Sequence, residues 1–148
     1  MRLVVQRVRE ARVTVEGRVT GQIGPGLLVL AGFAPADDTT SLAWMCRKLV
    51  HLRIFGDEHG QMNRSVADTG GQILVVSQFT LLADARKGNR PSYSGAAPPP
   101  VAEPLYQQFV ALVAAALGRP VPTGIFGADM QVSLLNDGPV TIVLDSPA

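Results

Sequence analysis

The sequence predicts an α+β domain: mainly antiparallel or mixed β-sheet in a barrel-like or stacked-sheet core, with two main helices packed on one face. Three observations carry this. Short apolar or alternating runs recur between breaks rich in Gly, Pro and Asp, the mark of strands joined by turns. Only two segments space their apolar residues as an amphipathic helix does. No repeat or linker divides the 148 residues, so they suit one domain, 1–148, with a sizeable core.

Taken in order, Leu3 to Val8 reads as a strand. Arg12 to Val15 and Val19 to Ile23 alternate around Glu16-Gly17-Arg18, a hairpin signal. Gly24-Pro25-Gly26 breaks the chain before Leu27 to Phe33, a central strand. Leu42, Met45, Cys46 and Leu49 then share one helical face. Asp37, Asp38, Thr39 and Thr40 are its candidate N-caps, and His51 lies at its end. FGDEHGQMNRS, 55–65, is polar and turn-rich, and Gln72 to Leu82 is the strongest strand pattern in the chain. Residues 83–100, with Gly88, Pro91, Gly95 and three consecutive prolines, read as a long irregular loop. A second helix runs from about Glu103 to Leu117, with Pro104 in its first turn and Gly118 as its stop. Leu105, Phe109, Leu112, Val113 and Ala116 form its apolar face. Thr123 to Phe126, Met130 to Leu135 and Val140 to Asp145 complete the strands, the last two flanking a turn at Asp137-Gly138-Pro139.

Composition narrows the function. Hydrophobic residues are 47% of the chain and charged residues 17%, a globular balance. Apolar runs such as Gly26 to Phe33 are too short to cross a bilayer, so no membrane role is expected. MRLVVQRVRE has no separate apolar stretch before a small-residue cleavage site and reads as a first strand. One cysteine, Cys46, leaves no partner for an intramolecular disulfide and suits a cytoplasmic location. A net charge of +1 excludes a strongly polycationic surface overall. Polyanion binding would need local patches: Arg2, Arg7, Arg9 and Arg12, or Arg86, Lys87 and Arg90. Charge runs more often simply solvate a surface.

Conventional catalytic arrangements are largely missing. His51, His59 and Cys46 offer no metal-ligand spacing. Gly24-Pro25-Gly26 is not a phosphate loop, and no GxSxG elbow occurs. Ser77 and Thr80 interrupt an apolar strand without a nearby histidine to act as base. They are open to three readings: nucleophiles, hydroxyls that satisfy buried backbone groups, or the wall of a pocket.

Three segments taken together are more specific: VVSQFTL (75–81), KGNRPSYS (87–94) and LNDGPVT (135–141). With QRV and ARVTVEG near the start, GPGLLVL, Met62-Asn63 and FGADM (126–130), the chain resembles the D-aminoacyl-tRNA deacylases over nearly its whole length. The resemblance implies a hydrolase that cleaves the ester between a D-amino acid, or glycine, and the 3′-terminal adenosine of tRNA. It implies no cofactor and no metal, and chemistry assisted by the RNA's own 2′-hydroxyl. Ser77, Gln78, Phe79 and Thr80 would form the catalytic strand end, Gln78 and Phe79 through their amides. Gly138, Pro139, Phe126 and Met130 would bind substrate, with Phe126 stacking on adenine or, on the plainer reading, filling core. Arg86, Lys87 and Arg90 would hold tRNA. Gly138-Pro139 would be a cis bond reaching, in a homodimer, into the partner's pocket as a chirality gate. Tyr93 stands where the family usually has Phe, and Arg64 where an apolar residue is usual. A non-catalytic RNA-end or small-ligand module, and a Ser77 or Thr80 esterase, are the competing readings.

Overall fold

A computed structural model describes residues 1–147. Strand β1, Arg2–Val15, is continuous rather than two strands and organises the sheet. A two-residue turn, Glu16 and Gly17, both at positive φ, reverses the chain into β2, Arg18–Ile23. Strand β3, Gly26–Gly32, carries on in β2's direction beyond Gly24-Pro25. Ile23 thus pairs with Ala11, and Gly26 with Val8. On β1's other side lies β7, Gln131–Asp145, antiparallel along almost the entire strand. Strand β6, Gln72–Ser77, adds parallel to β3. The mixed sheet curls into a half-barrel, in line with the expected fold class.

Both faces of β3 and β6 are buried, which explains why GLLVLAG and QILVVS read as unbroken apolar runs. One face (Leu27, Val29, Ile73, Val75) meets helices α1, Thr39–His51, and α3, Pro99–Leu117. The other (Leu28, Leu74, Val76) closes on Val8, Val13 and Ile23 inside the curl. The predicted α1 face is buried in full. Asp38 is its N-cap, accepting from Thr40 and Ser41.

Several expectations are corrected. Residues 55–65 contain a short hairpin, β4 (Phe55–Gly56) with β5 (Met62–Arg64), and a one-turn helix α2 follows at Val66–Thr69. Helix α3 begins at Pro99, so Pro104 lies inside it; Pro99 and Pro100 take the first turn, where a missing N–H costs nothing. Thr123 to Phe126 is no strand; only Thr123 bridges to Val75. The strand predicted to reach Leu82 ends at Ser77. Gln78 N–H still donates to Ala31, but Phe79–Leu82 then coils into a 3₁₀ turn closed by Leu81 N–H to Gln78 and Ala83 N–H to Thr80. The apolar run misleads there because Phe79 is exposed.

The expected final hairpin is also one strand. Residues 137–140 bulge from β7 opposite the single residue Arg7, between the pairs Val8–Asn136 and Gln6–Thr141. No helix among the described residues is long and apolar enough to cross a membrane.

Candidate active site

The parallel strands β3 and β6 end together, and a cleft of about 430 Å³ opens beyond their carboxyl ends. Ligand crevices favour that position in sheets with parallel strands. Ala31 and Phe33 line it, as do Ser77, Gln78 and Phe79. The turn from Phe126 to Met130 and Ala102 of α3 also line it. The structure thus brings five of the residues singled out from sequence to one place: Ser77, Gln78, Phe79, Phe126 and Met130.

Their individual roles differ from expectation in part. The Gln78 amide is committed to the Ala31 carbonyl at 2.8 Å and is not free for a ligand. The Phe79 N–H, at the start of the 3₁₀ turn, has no backbone acceptor among the described residues. Thr80 is exposed and does not line the cleft; its hydroxyl accepts from the Gln78 side-chain amide. Phe79 is 56% exposed and its ring meets that of Tyr93 edge to face at 5.1 Å, which ties the segment just after the 84–92 loop to the cleft-lining Phe79.

Phe126 is half-buried, its ring 5.8 Å from that of Tyr106. Tyr106 in turn donates to the Val75 carbonyl at 3.1 Å. Burial pushes its phenol up to about 12, with Thr123 pulling partly the other way. A buried neutral phenol thus braces α3, β6 and the aromatic wall together.

Gly138-Pro139 is cis, as the resemblance implies, but does not line this cleft in its own chain. It sits on the β7 bulge, which is held from below. Arg7 donates through Nε to the Asp137 carbonyl at 3.0 Å and through Nη1 to the Ile54 carbonyl at 2.6 Å. Asn136 braces the bulge from within, accepting from Val140 N–H at 3.1 Å and donating to Thr141 Oγ1 at 3.1 Å. Gly138 has a φ of +131°, and a Cβ there would lie 2.9 Å from the Arg7 guanidinium.

The basic loop is pinched by a two-way Asp84–Ser92 backbone pair at 2.8 Å. Arg86 folds back on Asp84, pairing at 2.5 Å; this hydrogen bond holds the Asp84 carboxyl below its usual range and raises Arg86. Lys87 and Arg90 make no ion pair among the described residues, so they carry the loop's free charge. Arg64 pairs with Glu58 at 3.2 Å on the β4–β5 hairpin. No group of three or more His, Cys, Asp or Glu clusters as a metal site among the described residues. Sequence reasoning passed over Asp129, which lines the cleft between Phe126 and Met130. A charge inside the apolar FGADM turn was the available signal.

Comparison with known proteins agrees with this layout. The family model described as D-Tyr-tRNA(Tyr) deacylase matches residues 4–145. Proteins named D-aminoacyl-tRNA deacylase from Dechloromonas aromatica (strain RCB) and Chlorobaculum parvum (strain DSM 263 / NCIMB 8327) are each 62% identical; the matches cover 99% of this chain and 97% and 99% of theirs. A solved chain described as c-Myc DNA unwinding element binding protein is 46% identical, covers 100% of both chains and superposes with a TM-score of 0.94. Another, described as a probable eukaryotic D-amino acid tRNA deacylase, shares the fold at a TM-score of 0.84 with 20% identity over 97% of both chains. On the full-length family match and the identity to these relatives, the chain belongs to the D-Tyr-tRNA(Tyr) deacylase family.

Proposed function

We propose that this protein is a D-aminoacyl-tRNA deacylase of the cytoplasm, hydrolysing the ester between a D-amino acid, or glycine, and the terminal adenosine of tRNA. The observation that carries the reading is the SQF segment at the mouth of the β3–β6 cleft, in a chain whose family match spans residues 4–145. Water adds across the ester, releasing the amino acid and leaving a free hydroxyl on the ribose. The neighbouring 2′-hydroxyl of the RNA assists, so the protein supplies positioning and donors rather than a nucleophile. The Phe79 N–H faces the developing oxyanion. Ser77 shapes the wall, and Thr80 acts at one remove by holding the Gln78 side chain. Phe126, backed by Tyr106, offers a ring on which adenine stacks, while Met130 lines the amino acid's side of the cleft. Lys87 and Arg90 meet tRNA phosphates, while Arg86 is held on Asp84.

Two copies complete the site. Gly138-Pro139 of one enters the cleft of the other, where rigid backbone beside the α-carbon collides with an L side chain and tolerates a D side chain or none. The position of the bulge outside its own cleft, and the bracing by Arg7 and Asn136, support this arrangement. Incubation of the purified protein with D-Tyr-tRNA and L-Tyr-tRNA tests the reading: release of D-Tyr alone is expected. Binding of both without release would replace the enzyme with an RNA-end binding module.

A further inference from the structure

We propose that Arg2 is a positioning residue for the hydrolysis, clamping the turn that presents the Phe79 N–H to the reacting ester; the inference rests on the deacylase reading above. Arg2 stands at the start of β1, paired with Gly32 of β3 on one side and with Asp145 of β7 on the other. Its guanidinium makes a two-pronged pair with the Asp145 carboxylate, Nε to Oδ1 at 2.7 Å and Nη2 to Oδ2 at 3.3 Å. The remaining nitrogen, Nη1, donates to the Leu81 carbonyl at 3.2 Å, inside the 3₁₀ turn Phe79–Leu82. The fork on Asp145 fixes the plane of the guanidinium and so the direction of Nη1. The hydrogen bond from Arg2 holds the Asp145 carboxyl below its usual range, so the pair stays charged at neutral pH.

A short 3₁₀ turn has poor hydrogen-bond geometry of its own and depends on what surrounds it. Here the entry is held by Gln78 N–H on the Ala31 carbonyl. The middle rests on Gly32, where a Cβ would lie 3.0 Å from the Gln78 carbonyl oxygen and 3.2 Å from Leu81 Cβ. Arg2 holds the exit. By sequence Arg2 counts among possible polyanion contacts, yet all three of its guanidinium nitrogens are engaged within the chain. A donor aimed at a developing oxyanion acts mainly in the transition state, and a misplacement of about 1 Å can cost about 100-fold.

Single-turnover kinetics on D-Tyr-tRNA test this, reading the saturating rate and the protein concentration that gives half of it. In Arg2→Ala the rate should fall about tenfold or more, with the half-saturating concentration within about twofold of wild type. Arg2→Lys keeps the charge but not the fork, so it should resemble Arg2→Ala. Asp145→Ala should lower the rate in the same direction. Amide exchange supplies the structural readout: Leu81 and Ala83, whose N–H groups close the turn, should lose protection in Arg2→Ala while the β3–β6 ladder keeps it. Weaker binding at an unchanged rate, rescued by Arg2→Lys, would make Arg2 a phosphate contact and overturn the inference. So would an unchanged rate, or protection lost across the whole sheet. Each of these leaves the deacylase reading in place. A wild-type protein inert toward D-Tyr-tRNA would remove both.

Discussion

Thr80 and Gly138 make opposite demands on their neighbours. Thr80 is exposed and its hydroxyl serves the Gln78 side chain, so Thr80→Ala should retain substantial deacylation. A lost hydrogen bond costs on the order of 0.5–1.5 kcal/mol, whereas a lost nucleophile would abolish turnover. Single-turnover rates with fold and tRNA binding intact decide between them. Gly138→Ala places a Cβ against Arg7, whose guanidinium is anchored on two carbonyls and cannot easily yield, at a φ that side chains rarely adopt. The expected outcome is a destabilisation of about 1–3 kcal/mol in urea melts, together with weaker substrate binding. Residue types and their places on the chain were legible; their hydrogen-bond commitments were not. Gln78 looked like an amide donor until the bond to Ala31 claimed it.

Elements with a strong period were read well. Both long helices follow the 3.6-residue spacing, but only α1 buries the expected face; α3 is turned toward Ala102, Tyr106, Phe109 and Val113, leaving Leu105 and Leu112 half-buried and Ala116 exposed. Ends were read less well, because Phe79 to Leu82 continues an apolar run after the neighbouring strand β3 has stopped. The link between α3 and β6 gives a pH test. The Tyr106 phenol is raised from 10 to about 12, so the folded state favours its protonated form. That contribution is intact below pH 10 and is lost as pH climbs from about 10 to about 12. Wild-type stability should therefore fall by on the order of 2–3 kcal/mol more than that of Tyr106→Phe across this window, at 1.36 kcal/mol per unit. Near pH 8 the variant should be the weaker by about 1 kcal/mol, having lost the bond to Val75. Denaturant melts at the two pH values check both signs. In the basic loop, Arg86 is already neutralised by Asp84. A Lys87→Ala, Arg90→Ala double variant should flatten the log–log salt dependence of tRNA binding by about 1.4, at about 0.7 per lost phosphate contact. Arg86→Ala alone should change it little. An unchanged slope in the double variant would take the loop out of the tRNA footprint.

At the scale of the whole molecule, β7 lies at the edge of the sheet, with Leu135 and Val143 more than half exposed. A long edge strand carrying apolar side chains favours a covering partner. If a second copy covers it, Val143→Glu should shift sedimentation toward monomer, and deacylation should fall in step with dimer content. Activity that persists in the monomer would detach Gly138-Pro139 from the partner's site. The pairing of β1 with β7 was not legible in the sequence, since partners such as Arg2 and Asp145 leave no local signal of one another. That same pairing governs the order of events during synthesis. Strand β1 emerges from the ribosome early, but its neighbour across most of its length follows about 115 residues later, a delay of roughly 6–23 s at 5–20 residues per second. Through that interval one edge of the sheet's central strand has no mate, and closing it requires the most distant contacts in the chain. Amide protection along the β7-facing side of β1 should therefore appear last, and a nascent-chain chaperone acting before β7 is made has its natural target there.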